Sequence, residues 1–206
     1  LGKRAGLDNA VATANVQGLV SVEQLDVTDP KSIDAANARL DAQGRPLDAV
    51  VHNAGVAVGG AFEDLSEANI RRVMEVNYFG VLALTQKLLP GFRARRRGRI
   101  LIVSSESAFA GQPANSPYCA SKWAVEGWAE SVAYELAPFG IDIILIEPGA
   151  YRTNIWESSP RVLPETSAYR PLLRHLEVTV DTYVAKSARD PIEVAKAIAN
   201  ALDAPR

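Results

Sequence analysis

A single cysteine, Cys119, stands among the 206 residues, so an internal disulfide framework is excluded and a reducing, cytoplasmic setting is expected. No histidine lies near it in sequence, so it reads as a small buried hydrophobe and not a nucleophile. Charge of one sign is also lacking: the formal net charge is -2, which calls for neither nucleic acid nor an anionic membrane as partner. Apolar runs never approach the roughly 18 to 20 residues that a bilayer-crossing helix needs, and no signal-peptide pattern opens at Leu1. Internal repeats and low-complexity segments are missing too. What is present, 48% hydrophobic and 22% charged residues, is the balance of one soluble globular domain, expected to occupy residues 1–206.

Strand-like and helix-like periods alternate along the chain. Leu19–Val27 reads as a strand, followed by a helix capped by Asp29 with Pro30 in its first turn and running to about Gln43. Leu47–His52 is a short apolar strand that turns out through Asn53-Ala54-Gly55. Ser66 opens a long helix to about Arg97, with Ile70, Val73, Met74, Val76, Val81, Leu84 and Leu88 on one stripe. The arginines clustered from Arg93 to Arg99 fall where that helix ends, complementing its C-terminal dipole. Arg99–Ser105 is the next strand, Ser116–Leu136 the next helix, and Ile141–Ile146 another strand.

Apolar strands separated by helices predict parallel pairing, with both sheet faces buried under crossover helices: a doubly wound α/β sheet. Such sheets bind ligands beyond the carboxyl ends of their strands. Asn53, Ser105 and Pro148-Gly149 all fall at such ends. From 151 to 189 no clean period is visible, and Trp156, Leu163, Tyr169, Leu172, Leu173, Leu176 and Tyr183 are scattered among prolines and polar residues. A long irregular excursion at the ligand edge reads as a substrate-binding lid, with a surface subdomain as the alternative. Asp190, Pro191 and Glu193 give the start signals of a last helix, to about Leu202. The glycine-rich stretch Gly55–Gly60 follows a strand but lacks phosphate-fingerprint spacing, so it reads as a turn beside a pocket.

Tyr118 and Lys122 are four residues apart on a predicted helix and share a face. An ammonium beside a phenol favours phenolate and would draw the phenol from a reference pKa of about 10 toward the working pH. Tyrosine and lysine at this spacing also occur by chance on helix surfaces. Ser105, thirteen residues upstream at a strand end, adds a second hydroxyl for the same substrate oxygen.

The ordered set Asp26-Val27, Asn53-Ala54-Gly55, Asn77, Ser105, Tyr118/Lys122 and Pro148-Gly149 with Thr153 resembles the short-chain dehydrogenase/reductase family, in its single-domain oxidoreductase branch, over nearly the whole chain from about Leu19. The resemblance implies a Rossmann-type domain in which Tyr118 is the catalytic acid or base. Lys122 would lower its pKa and hold the nicotinamide ribose, Ser105 would polarise the substrate carbonyl, and Asn77 would support a water relay. It further implies that Asp26, Val27, Asn53, Ala54, Gly55, Pro148, Gly149 and Thr153 line the cofactor, NAD or NADP, with Lys3 and Arg4 leaning toward NADP. The substrate would be a secondary alcohol or ketone, with an aromatic-rich lid suiting a lipophilic one, and no metal is invoked. Association into a homodimer or homotetramer through the two long helices is a further implication, with Trp123 and Trp128 as contacts or as core.

The chain departs from the family pattern at His52, where the family often has asparagine and which reads as a hydrogen-bonded core residue, and at Ala108, where glycine is usual. The family also opens with a strand and a glycine-rich turn that binds pyrophosphate at a helix N-terminus. The resemblance therefore implies that roughly 40 residues belong upstream of Leu1, and one more strand beyond Arg206. The 206 residues alone are then expected to be inactive. A cofactor-sensing binding protein of the same fold, and an epimerase or dehydratase using the same tyrosine and lysine, are the alternative readings.

Overall fold

The computed structural model describes residues 20–44 and 46–205. Helix α1 (Pro30–Ala42) starts where expected: the Asp29 side chain accepts the Lys31 N–H at 2.9 Å, and proline occupies the first turn. Strand β1 (Ala49–His52) leads through the loop to a two-residue strand, β2 (Gly59–Gly60). Helix α2 (Glu67–Met74), capped by Ser66, continues through a π turn at Glu75–Phe79 into α3 (Gly80–Arg95). Then come β3 (Gly98–Val103), α4 (Ser116–Leu136) and β4 (Ile141–Ile146).

The three longer strands form a parallel sheet in the order β1-β3-β4, with Ala49 opposite Arg99 and Gly98 opposite Ile141. Central β3 carries the apolar run that a strand covered on both faces requires. Ile100 and Ile102 pack with Val81, Leu88 and Phe92 of α3 and Val125, Ala129 and Leu136 of α4, while Leu101, on the other face, is equally buried. The expected parallel α/β architecture is therefore present, and it sends the ends of β1, β3 and β4 to one edge.

Several expectations are corrected. Of the strand placed at Leu19–Val27, Leu19 lies outside the described residues and only Val20 makes a bridge; 21–26 form no ladder. A strand persists only where a neighbour accepts its backbone, and here the Asp26 N–H turns to the Ser32 hydroxyl at 2.8 Å instead. The long helix is not uniform, because the π turn inserts an extra residue, and it ends at Arg95 with Arg96 in the left-handed region at φ 51°. The arginine cluster does serve the scaffold. Arg95 and Arg96 donate to the carbonyls of Leu47 and Pro138, both at 2.6 Å. Buried Arg99 donates to the carbonyls of Ala201, Leu202 and Ala204 at the end of the last helix.

The excursion 151–189 is more regular than expected. It contains α5 (Ile155–Ser158), β5 (Arg161–Val162) and an 18-residue helix, α6 (Arg170–Ser187). Pro171 sits in the first turn of α6, where a missing N–H costs nothing, so it marks a start and not a break. The two ends of the excursion are pinned by a parallel bridge between Tyr151 and Arg189. Its middle is tied down by β5 on β2, by Ser167 to Asp64 at 2.6 Å, and by the Tyr169 hydroxyl to Glu63 at 2.8 Å. The final helix, α7 (Ile192–Asp203), has its Ile192 N–H capped by Asp190 at 2.9 Å.

Candidate functional site

Strand β3 ends at Val103, and the next two residues are serines whose side chains face α4. Tyr118 and Lys122, one turn apart on α4, lie opposite them. Ser105 is 8% exposed; its hydroxyl donates to Ser107 Oγ at 3.2 Å and lies beside the half-buried Tyr118 phenol. The same Ser105 oxygen accepts the Ser107 N–H at 3.2 Å, which fixes its position. Lys122 is 6% exposed; its Nζ lies 5.5 Å from the centre of the Tyr118 ring and donates to the Val103 carbonyl at 2.8 Å.

The spacing argument placed Lys122 beside the phenol, and it is there. Its expected effect on the phenol is not seen. Burial is the largest influence on Tyr118 and pushes its pKa up; the neighbouring Ser105 hydroxyl opposes this, while Cys119 and Glu106 add to the rise. Lys122 faces the ring and a backbone carbonyl, and burial draws its own pKa down to about 8 against the pull of Glu126. In this geometry the phenol holds its proton at neutral pH.

Asn77 occupies the π turn and is 2% exposed. Its Oδ1 accepts the Val56 N–H and its Nδ2 donates to the Val56 carbonyl and to the Ser121 hydroxyl, each at 2.9 Å. One side chain thus joins the loop after β1 to the residue preceding Lys122. The loop residues Asn53, Ala54 and Gly55 are exposed along the edge. Val27 packs against Gly80, whose missing side chain permits the approach: a Cβ there would lie 2.8 Å from Val27 Cγ2. Asp26 is exposed and bonded to the Thr28 amide and hydroxyl, at 2.9 and 2.7 Å, which lowers its pKa.

On the far side, the Pro148 carbonyl accepts the Glu106 N–H at 3.1 Å, and the Glu106 carboxylate lies against Gly149. Thr153 is exposed in the segment that follows. His52 is the core residue expected: Nε2 lies 2.9 Å from Thr85 Oγ1, and burial lowers its pKa to about 4. Four residues near the centre were not foreseen: Ser104, Ser121, Glu106 and Glu126. Glu126 at least carried a signal, since it continues the Tyr118, Lys122 spacing by one more turn.

A family model described as short chain dehydrogenase matches residues 4–162. The chain belongs to the short-chain dehydrogenase family. It is 40% identical over 203 residues to the uncharacterised oxidoreductase YusZ of Bacillus subtilis, covering 95% of this chain and 71% of that one. To the 17-beta-hydroxysteroid dehydrogenase type 1 of Homo sapiens it is 37% identical over 203 residues, covering 96% and 61%. A short-chain dehydrogenase from Streptomyces avermitilis has a crystal structure similar to this fold, with a TM-score of 0.82 at 34% identity over 96% of this chain and 72% of that one. A gluconate 5-dehydrogenase from Burkholderia cenocepacia, crystallised with NADP and tartrate, gives 0.61 at 26% identity over 64% and 51%. The chain spans 61% of the length of the human relative. Among the described residues, no helix is long and apolar enough to cross a membrane.

Proposed function

We propose that this short-chain dehydrogenase chain forms the catalytic part of an NAD(P)-dependent oxidoreductase that interconverts a secondary alcohol and a ketone. The observation that carries the reading is the convergence of the Ser105 hydroxyl and the Tyr118 phenol, with the buried Lys122 ammonium beside them. Two hydroxyls meeting at the carboxyl edge of a parallel sheet can address one carbonyl oxygen, Ser105 as hydrogen-bond donor and Tyr118 as proton source. A phenol kept protonated by burial suits the role of acid, the direction of ketone reduction.

The residues present fit a nicotinamide dinucleotide: a buried cation able to donate to ribose hydroxyls, exposed Asn53-Ala54-Gly55 along the same edge, and Pro148-Gly149 across from it. When bound, the nicotinamide supplies or accepts the hydride. Asp26 and Val27 would meet the adenine end and Thr153 the carboxamide. NADP is favoured by its presence in the gluconate 5-dehydrogenase neighbour; Lys3 and Arg4 lie outside the described residues. In this reading residues 1–206 are one oxidoreductase domain and 151–189 its substrate lid, a role supported by the bonds of Ser167 to Asp64 and of Tyr169 to Glu63. A lipophilic substrate is supported by the steroid named for the human relative and by exposed Phe62, Phe109, Leu172 and Tyr183. A homodimer or homotetramer would cover Trp123, which is 53% exposed on α4.

The test is oxidation of NADPH or NADH by the full-length protein with ketones of graded lipophilicity. Turnover that Tyr118→Phe removes, while cofactor binding persists, supports the reading. Wild-type rates in that variant with every active ketone would overturn it.

A further inference from the structure

Three consecutive residues at the end of β3 address three successive turns of α4. The Ser105 hydroxyl lies beside the Tyr118 phenol, the Val103 carbonyl accepts from Lys122 Nζ, and the Ser104 hydroxyl donates to Glu126 Oε1. Tyr118, Lys122 and Glu126 stand at i, i+4 and i+8, so they form one row on the helix. The proposed reaction uses the first two and leaves the third without a task.

Glu126 is 7% exposed, Ser104 2% and Lys122 6%. A carboxylate and an ammonium are seldom buried to this degree unless each has a partner. Hydrogen bonding to Ser104 fixes where the carboxylate sits, and that site is one helical turn from an ammonium that has left water. We propose that Glu126 is a positioning residue for Lys122, its Ser104-held carboxylate keeping the buried ammonium charged and directed at the strand end where the Tyr118 phenol stands. The catalytic consequence rests on the oxidoreductase reading above, whereas the effect on Lys122 itself does not.

The physical reason is the competition around the ammonium. Burial alone favours the neutral amine, and the Glu126 carboxylate is the charge that works against it. A neutral Lys122 would have one fewer N–H for the Val103 carbonyl and a ribose hydroxyl, and no charge to stabilise a phenolate. The titratable groups facing this row are the buried Cys119 next to Tyr118 and three carboxylates, Glu130 on α4, Glu147 just after β4 and Glu106 beside Tyr118. All three are exposed, so solvent screens them more than it does Glu126. Glu126 is itself pushed upward, first by burial and then by Glu147 and Glu130, while Ser104 and Lys122 hold it down. Ser104 is therefore part of the device: without its hydrogen bond the carboxylate moves toward its neutral form and ceases to oppose the desolvation of Lys122.

The experiment follows the Lys122 Nζ resonance of full-length, cofactor-free protein carrying 15N-labelled lysine, assigned with Lys122→Arg, across an alkaline pH titration. In Glu126→Gln the Lys122 midpoint is expected to fall by about one pH unit, with a smaller fall in Ser104→Ala and return toward wild type in Glu126→Asp. The alkaline limb of the turnover profile should move down in step. An unchanged Lys122 midpoint in Glu126→Gln overturns the proposal and leaves Glu126 as a structural partner of Ser104. Should that variant not fold, Ser104→Ala carries the same decision. A shifted midpoint in a protein that reduces no ketone upholds the link between Glu126 and Lys122 while defeating the oxidoreductase reading; an unshifted one in an active enzyme does the reverse.

Discussion

Asn77 closes both backbone polar groups of Val56 with one carboxamide, accepting the Val56 N–H and donating to its carbonyl, each at 2.9 Å. The loop that bears Asn53, Ala54 and Gly55 is thereby fastened to the π turn of the long helix. Asn77→Ala removes both bonds and a third to Ser121. It is expected to cost about 1 to 3 kcal/mol in urea denaturation and to raise the KM for cofactor more than it lowers kcat. Unchanged stability would show that the loop holds its shape by other means.

Gly80 sits where α3 meets Val27. A Cβ at this position would lie 2.8 Å from Val27 Cγ2, 3.0 Å from its Cβ and 3.1 Å from its carbonyl oxygen. Alanine ordinarily improves a helix by about 1 kcal/mol over glycine, but overpacking of this kind costs about 1 to 3 kcal/mol. Gly80→Ala should therefore come out destabilising, and Val27→Ala should recover only part of the loss because the Cβ and carbonyl contacts remain. A double-mutant cycle by thermal denaturation checks the coupling.

Tyr118→Phe deletes the proton source and leaves the ring that Lys122 Nζ faces. Single-turnover hydride transfer should slow by about 10²- to 10⁴-fold, and Ser105→Ala by about 10²- to 10³-fold, with cofactor affinity largely retained in both. Equal losses of cofactor affinity and rate would mean that the hydroxyls serve binding and not chemistry.

Lys122 gives up its proton at about 8 in the folded protein, against 10.5 in its reference state. Below about 8 both states are charged and the burial penalty is present in full; above 8 the unfolded chain binds more protons, so stability rises with pH until 10.5. The penalty relieved over that window is on the order of 3 kcal/mol. Tyr118, with its pKa raised from 10.0, works in the opposite direction from that value upward, so the clean window is 8 to 10. Across it, the stability of wild type relative to Lys122→Met should increase. A flat difference would sink the burial argument.

Arg99 closes the end of α7 by donating to the carbonyls of Ala201, Leu202 and Ala204. Arg99→Leu should leave the β3 ladder intact while the amides of 192–203 exchange faster with deuterium. Protection there equal to wild type would show that α7 stands on its apolar face alone.

Much of this protein follows from local rules that sequence carries. Apolar runs at 49–52, 98–103 and 141–146 fix parallel strands, the central one buried along nearly its whole length, and Asp29 and Ser66 fix helix starts through their own carboxyl or hydroxyl oxygens. A four-residue spacing suffices to put Lys122 beside Tyr118, because helical geometry is independent of the rest of the fold. The tertiary structure decided what depends on neighbours distant in sequence. The Asn77 bond to Val56 and the Ser104 bond to Glu126 join residues 21 and 22 positions apart, which no periodicity encodes. The charge states of Tyr118 and Lys122 depend on burial, a property of the packed sheet edge, and burial reversed the effect that spacing alone suggested. Helical spacing settles which side chains share a face of α4; the folding of β3 against that helix settles which of them are deprived of water and what each is bonded to.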